Sequence, residues 1–241
     1  KPKGTGETVF GTGAAAATLT TSGANDLVLD TNSGTNSGTI TITDGAAGAI
    51  NIAPNGSGVA QVGGSAIKVA GLETMWVPSS AMYATTTNGA DSAQVETTAV
   101  RPDMKVLDFD ASTDQYAQFS VAFPKSWNEG TITYQVYWTP SNTNTGNCQF
   151  GMQAVAVGDG DTIDIAFSGP TKLIDAGIGT VEDQQVSVVS GNLTIAGSPA
   201  VDQLTYFQFF RDAADGADNF TGEARLLGVK IFYTTDAAND A

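Results

Sequence analysis

Between Leu19 and Val69 aliphatic side chains come in small groups about ten residues apart: Leu19; Leu27 and Leu29; Ile40 and Ile42; Ile50 and Ile52; Val59 and Val62; Ile67 and Val69. That interval is one short strand plus one turn. The turns have the matching chemistry, "SGAND" at 22 to 26, "TNSGTNSG" at 31 to 38, "DGAAG" at 44 to 48, "PNGSG" at 54 to 58 and "GGS" at 63 to 65. Asn-Gly and Asp-Gly supply the positive φ angles that tight turns require.

Such strands are too thin to stand alone. Two aliphatic side chains contribute about 1.5 to 3 kcal/mol each when fully buried, against about 1 to 2 kcal/mol of backbone entropy for every residue ordered. Several copies winding around one axis would cover each other's apolar faces and close the strand edges. The repeat therefore predicts an intertwined fibre shaft over residues 18 to 71, assembled as a homotrimer. Residues 1 to 17 are expected to be an attachment segment leading into it. A flexible Gly/Ser/Thr linker has the same composition but no reason to repeat aliphatic pairs.

Residues 72 to 241 read differently. Up to Gly71 the chain holds one aromatic, Phe10; from Leu72 onward come all three Trp, all six Tyr and the other ten Phe. After "LETMWVPSSAMYATTTNGAD", read as an irregular junction, alternating turn-bounded runs follow at 104 to 111, 115 to 123, 131 to 140, 147 to 158, 161 to 169, 185 to 197, 204 to 212 and 224 to 236. Strands of this kind with no helical period between them predict an antiparallel β-sandwich head, jelly-roll-like. In "TITYQVYW" Ile132, Tyr134, Val136 and Trp138 share one face and Thr131, Thr133, Gln135 and Tyr137 the other.

Composition removes several chemistries. There is no His, and one cysteine, Cys148, expected to be a small buried hydrophobe. Ser-His-Asp and Cys-His pairs, Cys-rich zinc sites and internal disulfides are therefore excluded. A net charge of −15 opposes nucleic-acid binding. No apolar run reaches the roughly 18 residues of a membrane helix, and "GAAAAT" at 13 to 18 is no signal peptide. The chain begins at Lys1 without Met, consistent with an upstream segment having been removed.

"GTGETVFGTG" at 4 to 13 matches no phosphate-loop spacing. Asp159, Asp161 and Asp164 in "VGDGDTIDI" lack the remaining ligands of a calcium loop and read as a hairpin turn, and Asp108, Asp110 and Asp114 read as outward positions. No two carboxylates stand out as a glycosidase pair, so the chain is expected not to be an enzyme and to carry no cofactor or metal. Exposed aromatics are the better lead, because a flat ring stacks on a sugar face while neighbouring amides bond its hydroxyls. Trp127 and Asn128 in "FPKSWNEG" and Tyr83 near the junction are the predicted ligand-binding residues. Trp76 is a further aromatic there, expected at a subunit interface, with Trp138 and Phe207 in the core.

The repeat "ITITDGAAGAINIAPNGSGVAQVGG" resembles the shafts of bacteriophage fibre proteins. The segments "MWVPSSAMYA", "RPDMKVLDFDA", "FPKSWNEGTITYQVYWTP" and "LLGVKIFYTTDA" resemble the head attached to such shafts in tailed phages. The resemblance implies a virion structural protein, a trimeric tail fibre whose head contacts the host surface, with a capsid decoration or head fibre as the alternative. It implies as partners the chain's own copies, other virion proteins at the N-terminal end, and a host glycan or protein. No nucleic acid or membrane insertion is expected. It carries no binding residue to any position.

Overall fold

The computed structural model describes residues 71–235 without interruption and, before them, Asn25 and five short strands. The chain divides into two compact units, Lys1–Ile67 and Lys68–Ala241. The attachment segment at 1 to 17 and most of the repeat's turns lie outside the described residues.

In the first unit, β1 (Leu27–Asp30), β2 (Thr39–Ile42) and β3 (Ile50–Ala53) form an antiparallel meander in the order β1-β2-β3. The ten-residue period brings its aliphatic positions opposite one another. Leu27 pairs with Ile42 and Ile42 with Ile50, while Leu29 pairs with Ile40 and Ile40 with Ile52. Val28 and Ile40 remain exposed. β4 (Gln61–Val62) and β5 (Ser65–Ala66) make a separate hairpin.

The second unit is all β apart from a 3-10 turn at Ser79–Ala81, with two antiparallel sheets facing each other. Its strands are β6 (Gly71–Pro78), β7 (Tyr83–Ala84), β8 (Asp91–Val95), β9 (Met104–Phe109), β10 (Gln115–Ala122), β11 (Thr133–Pro140), β12 (Asn147–Val157), β13 (Thr171–Ala176), β14 (Gln185–Val186), β15 (Leu204–Arg211) and β16 (Ala224–Thr235). One sheet has the order β13-β12-β15-β10-β7. The other is β14-β11-β16-β9-β8, with β6 also paired to β16.

Alternation sends one face of every long strand inward. From β11 come Tyr134, Val136 and Trp138, with Ile132 just before them; from β10 and β15 come Phe119, Phe207 and Phe209; from β16 come Val229 and Ile231, all buried. Phe119 stacks on Phe207 at 4.9 Å, and Trp138 meets Phe150 edge-on at 5.5 Å. Cys148 is buried among them, and burial pushes its thiol well above the ordinary range. The all-β, two-sheet expectation for the head is therefore what the chain adopts.

Three expectations need correction. The supposed junction "LETMWVP" is a full strand, pairing from Gly71 opposite Thr235 to Pro78 opposite Gly228. Residues 161 to 169 form no strand, and Ile163 and Ile165 are exposed. Of 185 to 197 only Gln185–Val186 is strand. Beyond it the chain still follows β11, but serine hydroxyls replace backbone carbonyls as acceptors. Ser187 Oγ accepts from Val136 N at 3.0 Å and Ser190 Oγ from Tyr134 N at 2.9 Å. An interrupted ladder of this kind leaves Val188 and Val189 outside.

Candidate functional site

The outer face of the five-stranded sheet collects rings and amides. On β10 Tyr116, Gln118 and Ser120 alternate with the buried Ala117, Phe119 and Val121; on β15 Tyr206, Gln208 and Phe210 alternate with the buried Thr205, Phe207 and Phe209, Phe210 being itself covered by its neighbours on this face. Register turns these into rows across the sheet. Gln118 pairs with Tyr83 on one side and Gln208 on the other, and Gln208 pairs with Gln153 of β12, which gives the row Tyr83, Gln118, Gln208, Gln153. The adjacent row is Tyr116, Phe210, Gly151, Lys172.

Gly151 makes that second row flat. A Cβ there would lie 2.3 Å from Phe210 Cζ, so the ring occupies the place a side chain would take. Tyr116 leans on the same ring at 5.5 Å. In the amide row, Gln153 Nε2 donates to Gln208 Oε1 at 2.6 Å, which orients both carboxamides. Gln118 makes no side-chain hydrogen bond among the described residues.

A shallow hollow of about 410 Å³ opens over these rows, lined by Thr85, Thr87, Asn88, Tyr116, Gln118 and Gln208. Its rim is held by main chain: Tyr116 N donates to Asn88 O at 2.8 Å and Ala90 N to Tyr116 O at 3.2 Å, while Thr85 Oγ1 donates to Thr87 O. None of the six lining side chains is charged. Burial, with Asp114 and Asp212 near, pushes the Tyr116 hydroxyl above its ordinary range, so it stays a proton donor at neutral pH.

Tyr83 is half exposed, at 51%, and ends the amide row. Trp127 is a correction. It is 1% exposed, stacked on Phe123 at 4.1 Å, and bridged through its backbone to Thr235, so it closes the core and offers no ring to a ligand. The turn explains this: Trp127 N donates to Pro124 O, and the chain folds the indole back over Phe123. Asn128 is exposed, but its carboxamide oxygen accepts from Gly130 N and its own N–H donates to Thr234 O, so it works as a turn residue outside the hollow. Trp138 and Phe207 are in the core as expected.

Tyr116, Gln118, Tyr206, Gln208 and Gln153 of this face were not among the residues expected from sequence. A signal was present in "QYAQFS" and "LTYFQFF", where period-2 spacing sets ring and amide on one face, but the rows depend on register between strands far apart in the chain. Asp161 is a turn residue, its carboxylate accepting from Gly158 N at 3.2 Å, but no strand follows at 161 to 169 to make the expected hairpin. Among the described residues no group of three or more His, Cys, Asp or Glu could hold a metal ion.

No family model matches the chain, and no curated protein does. Solved structures similar to it include carbohydrate-binding modules. One is the family 36 module of a multidomain xylanase from the hindgut metagenome of Trinervitermes trinervoides, 11% identical over 66% of this chain and 96% of that one, with a TM-score of 0.35. Another is the family 11 module of Clostridium thermocellum in complex with a mixed-linked tetrasaccharide, 8% identical over 73% and 100%, with a TM-score of 0.39. A family 27 module that recognises mannan is 12% identical over 68% and 98%, with a TM-score of 0.38. Likenesses of this size assign no role to any residue here.

Proposed function

We propose that this chain is a bacteriophage tail-fibre protein, homotrimeric through its repeat segment, whose head contacts a host-surface glycan on the outer face of the five-stranded sheet. The observation that carries the binding part is the row Tyr83, Gln118, Gln208, Gln153. A pyranose presents apolar C–H faces and hydroxyls that both donate and accept. A half-exposed tyrosine ring meets the first, and carboxamides meet the second from either end. The hollow is open and shallow, which suits a segment of a longer saccharide better than an enclosed small substrate.

The hollow's lining has one tyrosine ring and hydrogen-bond groups but no carboxylate to act as acid, base or nucleophile. Binding is therefore the activity we assign to it. The fibre part rests on the ten-residue repeat and its shortage of aliphatic side chains, which calls for companion copies.

Oligosaccharides released from the host envelope, titrated by calorimetry, test the binding. Gln118→Ala should weaken it by about 0.5 to 1.5 kcal/mol, roughly two- to tenfold, with the fold unchanged; Tyr83→Ala should weaken it as well. Unaltered affinity in both variants sinks the assignment of this face. Antibody labelling of intact virions tests the context: tail label is expected, and label on the capsid shell would replace the tail fibre with a head fibre.

A further inference from the structure

The other sheet carries a second aromatic cleft that the reading above does not use. β6 and β11 flank β16, and their outward residues meet over its bulge: Trp76 lies opposite Lys230, and Tyr137 lies opposite Gly228, where the β11–β16 register shifts. Trp76 crosses Gly228, since a Cβ on that glycine would stand 2.6 Å from the indole's Cη2. Tyr137 holds the indole edge-on at 5.0 Å. Seated in this way the ring is fixed in orientation yet 49% exposed. The cleft measures about 380 Å³ and is lined by Trp76, Tyr137, Gln184, Leu227 and Lys230.

Charge decides what it would take. On the outward faces of β6, β11 and β14 no side chain is charged, because Glu73, the one carboxylate of β6, has the parity of the opposite face, opposite Tyr233. Lys230 has no carboxylate partner among the described residues; its Nζ sits 5.3 Å from the centre of the Phe232 ring. The cleft therefore sets a cation beside a fixed, exposed indole, with the Gln184 carboxamide as a further polar group. The chain's overall charge of −15 works against anions at long range, but at physiological salt the field decays over about 8 Å, so at contact the nearest charge dominates.

We infer that this cleft is a binding site for a carboxylated pyranose, with the sugar face on Trp76 and the carboxylate on Lys230. It is separate from the hollow on the five-stranded sheet and does not depend on it. Neutral sugars can use the ring alone, and a small carboxylate at Lys230 leaves the face of the indole uncovered, so neither satisfies the whole cleft.

Tryptophan fluorescence reads this site specifically. Of the chain's three tryptophans, Trp127 and Trp138 are buried, and the hollow on the other sheet has no indole among its lining residues. The full chain is titrated with sodium glucuronate, glucose and sodium acetate, after iodide quenching has established that Trp76 is open in the assembled protein. Glucuronate should change the emission saturably, glucose at least about tenfold more weakly, and acetate not at all. Lys230→Gln should erase the preference for glucuronate while leaving the melting temperature unchanged, and Trp76→Phe should lower glucuronate affinity measured by calorimetry. Equal responses to glucuronate and glucose, a response to acetate, or no saturable response would overturn the inference. An iodide-inaccessible Trp76 would overturn it too, by showing that another copy of the chain covers this face.

Discussion

Arg211 is fully buried, and all five N–H groups of its guanidinium are engaged. Two go to the Asp218 carboxylate, at 2.9 and 2.8 Å, and the others to the carbonyls of Phe109, Gly222 and Phe220. The pair ties the loop after β15 to the ends of β9 and β16, and nothing in the sequence pattern announced it. Arg211→Met would strand the buried Asp218 charge, and a loss of about 3 to 5 kcal/mol is expected in chemical denaturation; a loss under about 1 kcal/mol contradicts that reading. Asp175 differs in sign. Burial raises its carboxyl pKa above the ordinary value, opposed by the 2.7 Å hydrogen bond from Trp138 Nε1. The folded chain thus holds this proton more tightly than the unfolded one, so the contribution favours folding at low pH and fades as pH rises from 3.8 through the folded value. Asp175→Asn keeps an acceptor for the indole and removes the charge. Its melting temperature should equal or exceed the wild type's at pH 7 and converge with it near pH 3; a deficit at pH 7 would contradict this. Single residues also mark where sequence reading fails: Trp127 in a polar, Pro-led turn reads as exposed, yet the turn folds its ring onto Phe123.

At the scale of elements, β12, β10 and β15 form the platform, and its flatness rests on Gly151. Gly151→Ala must move the Phe210 ring, and with it Tyr116 at the edge of the hollow. A cost of about 1 to 3 kcal/mol in stability is expected, along with weaker saccharide binding. Full stability by denaturation together with unchanged affinity would show that the ring arrangement is immaterial. Strands whose two faces differ clearly were legible, as in β11, where the inward Tyr134, Val136 and Trp138 alternate with Thr133, Gln135 and Tyr137. The strand β6 was not, because much of it is exposed and its apolar residues follow no strict alternation. The run from 185 to 197 has β composition but spends its serine hydroxyls on β11, a substitution of side chain for main chain that periodicity does not register.

For the whole molecule, composition separates an aromatic-poor repeat from an aromatic-rich remainder, and the all-β character of residues 72 to 235 was legible in their alternation. The candidate face was only half written: sequence sets Tyr116 with Gln118 and Tyr206 with Gln208, whereas their assembly with Tyr83 and Gln153 is a product of topology, since β10 lies between β7 and β15 and β12 lies beyond. The proposed glycan contact depends on that assembled face. The most direct test is a backbone-amide chemical-shift map of the full chain titrated with a neutral oligosaccharide from the host envelope. Shifts concentrated at Tyr83, Thr85 to Asn88, Tyr116, Gln118, Gln153 and Gln208 are expected; shifts confined to other parts of the head, or none at saturating sugar, would contradict it.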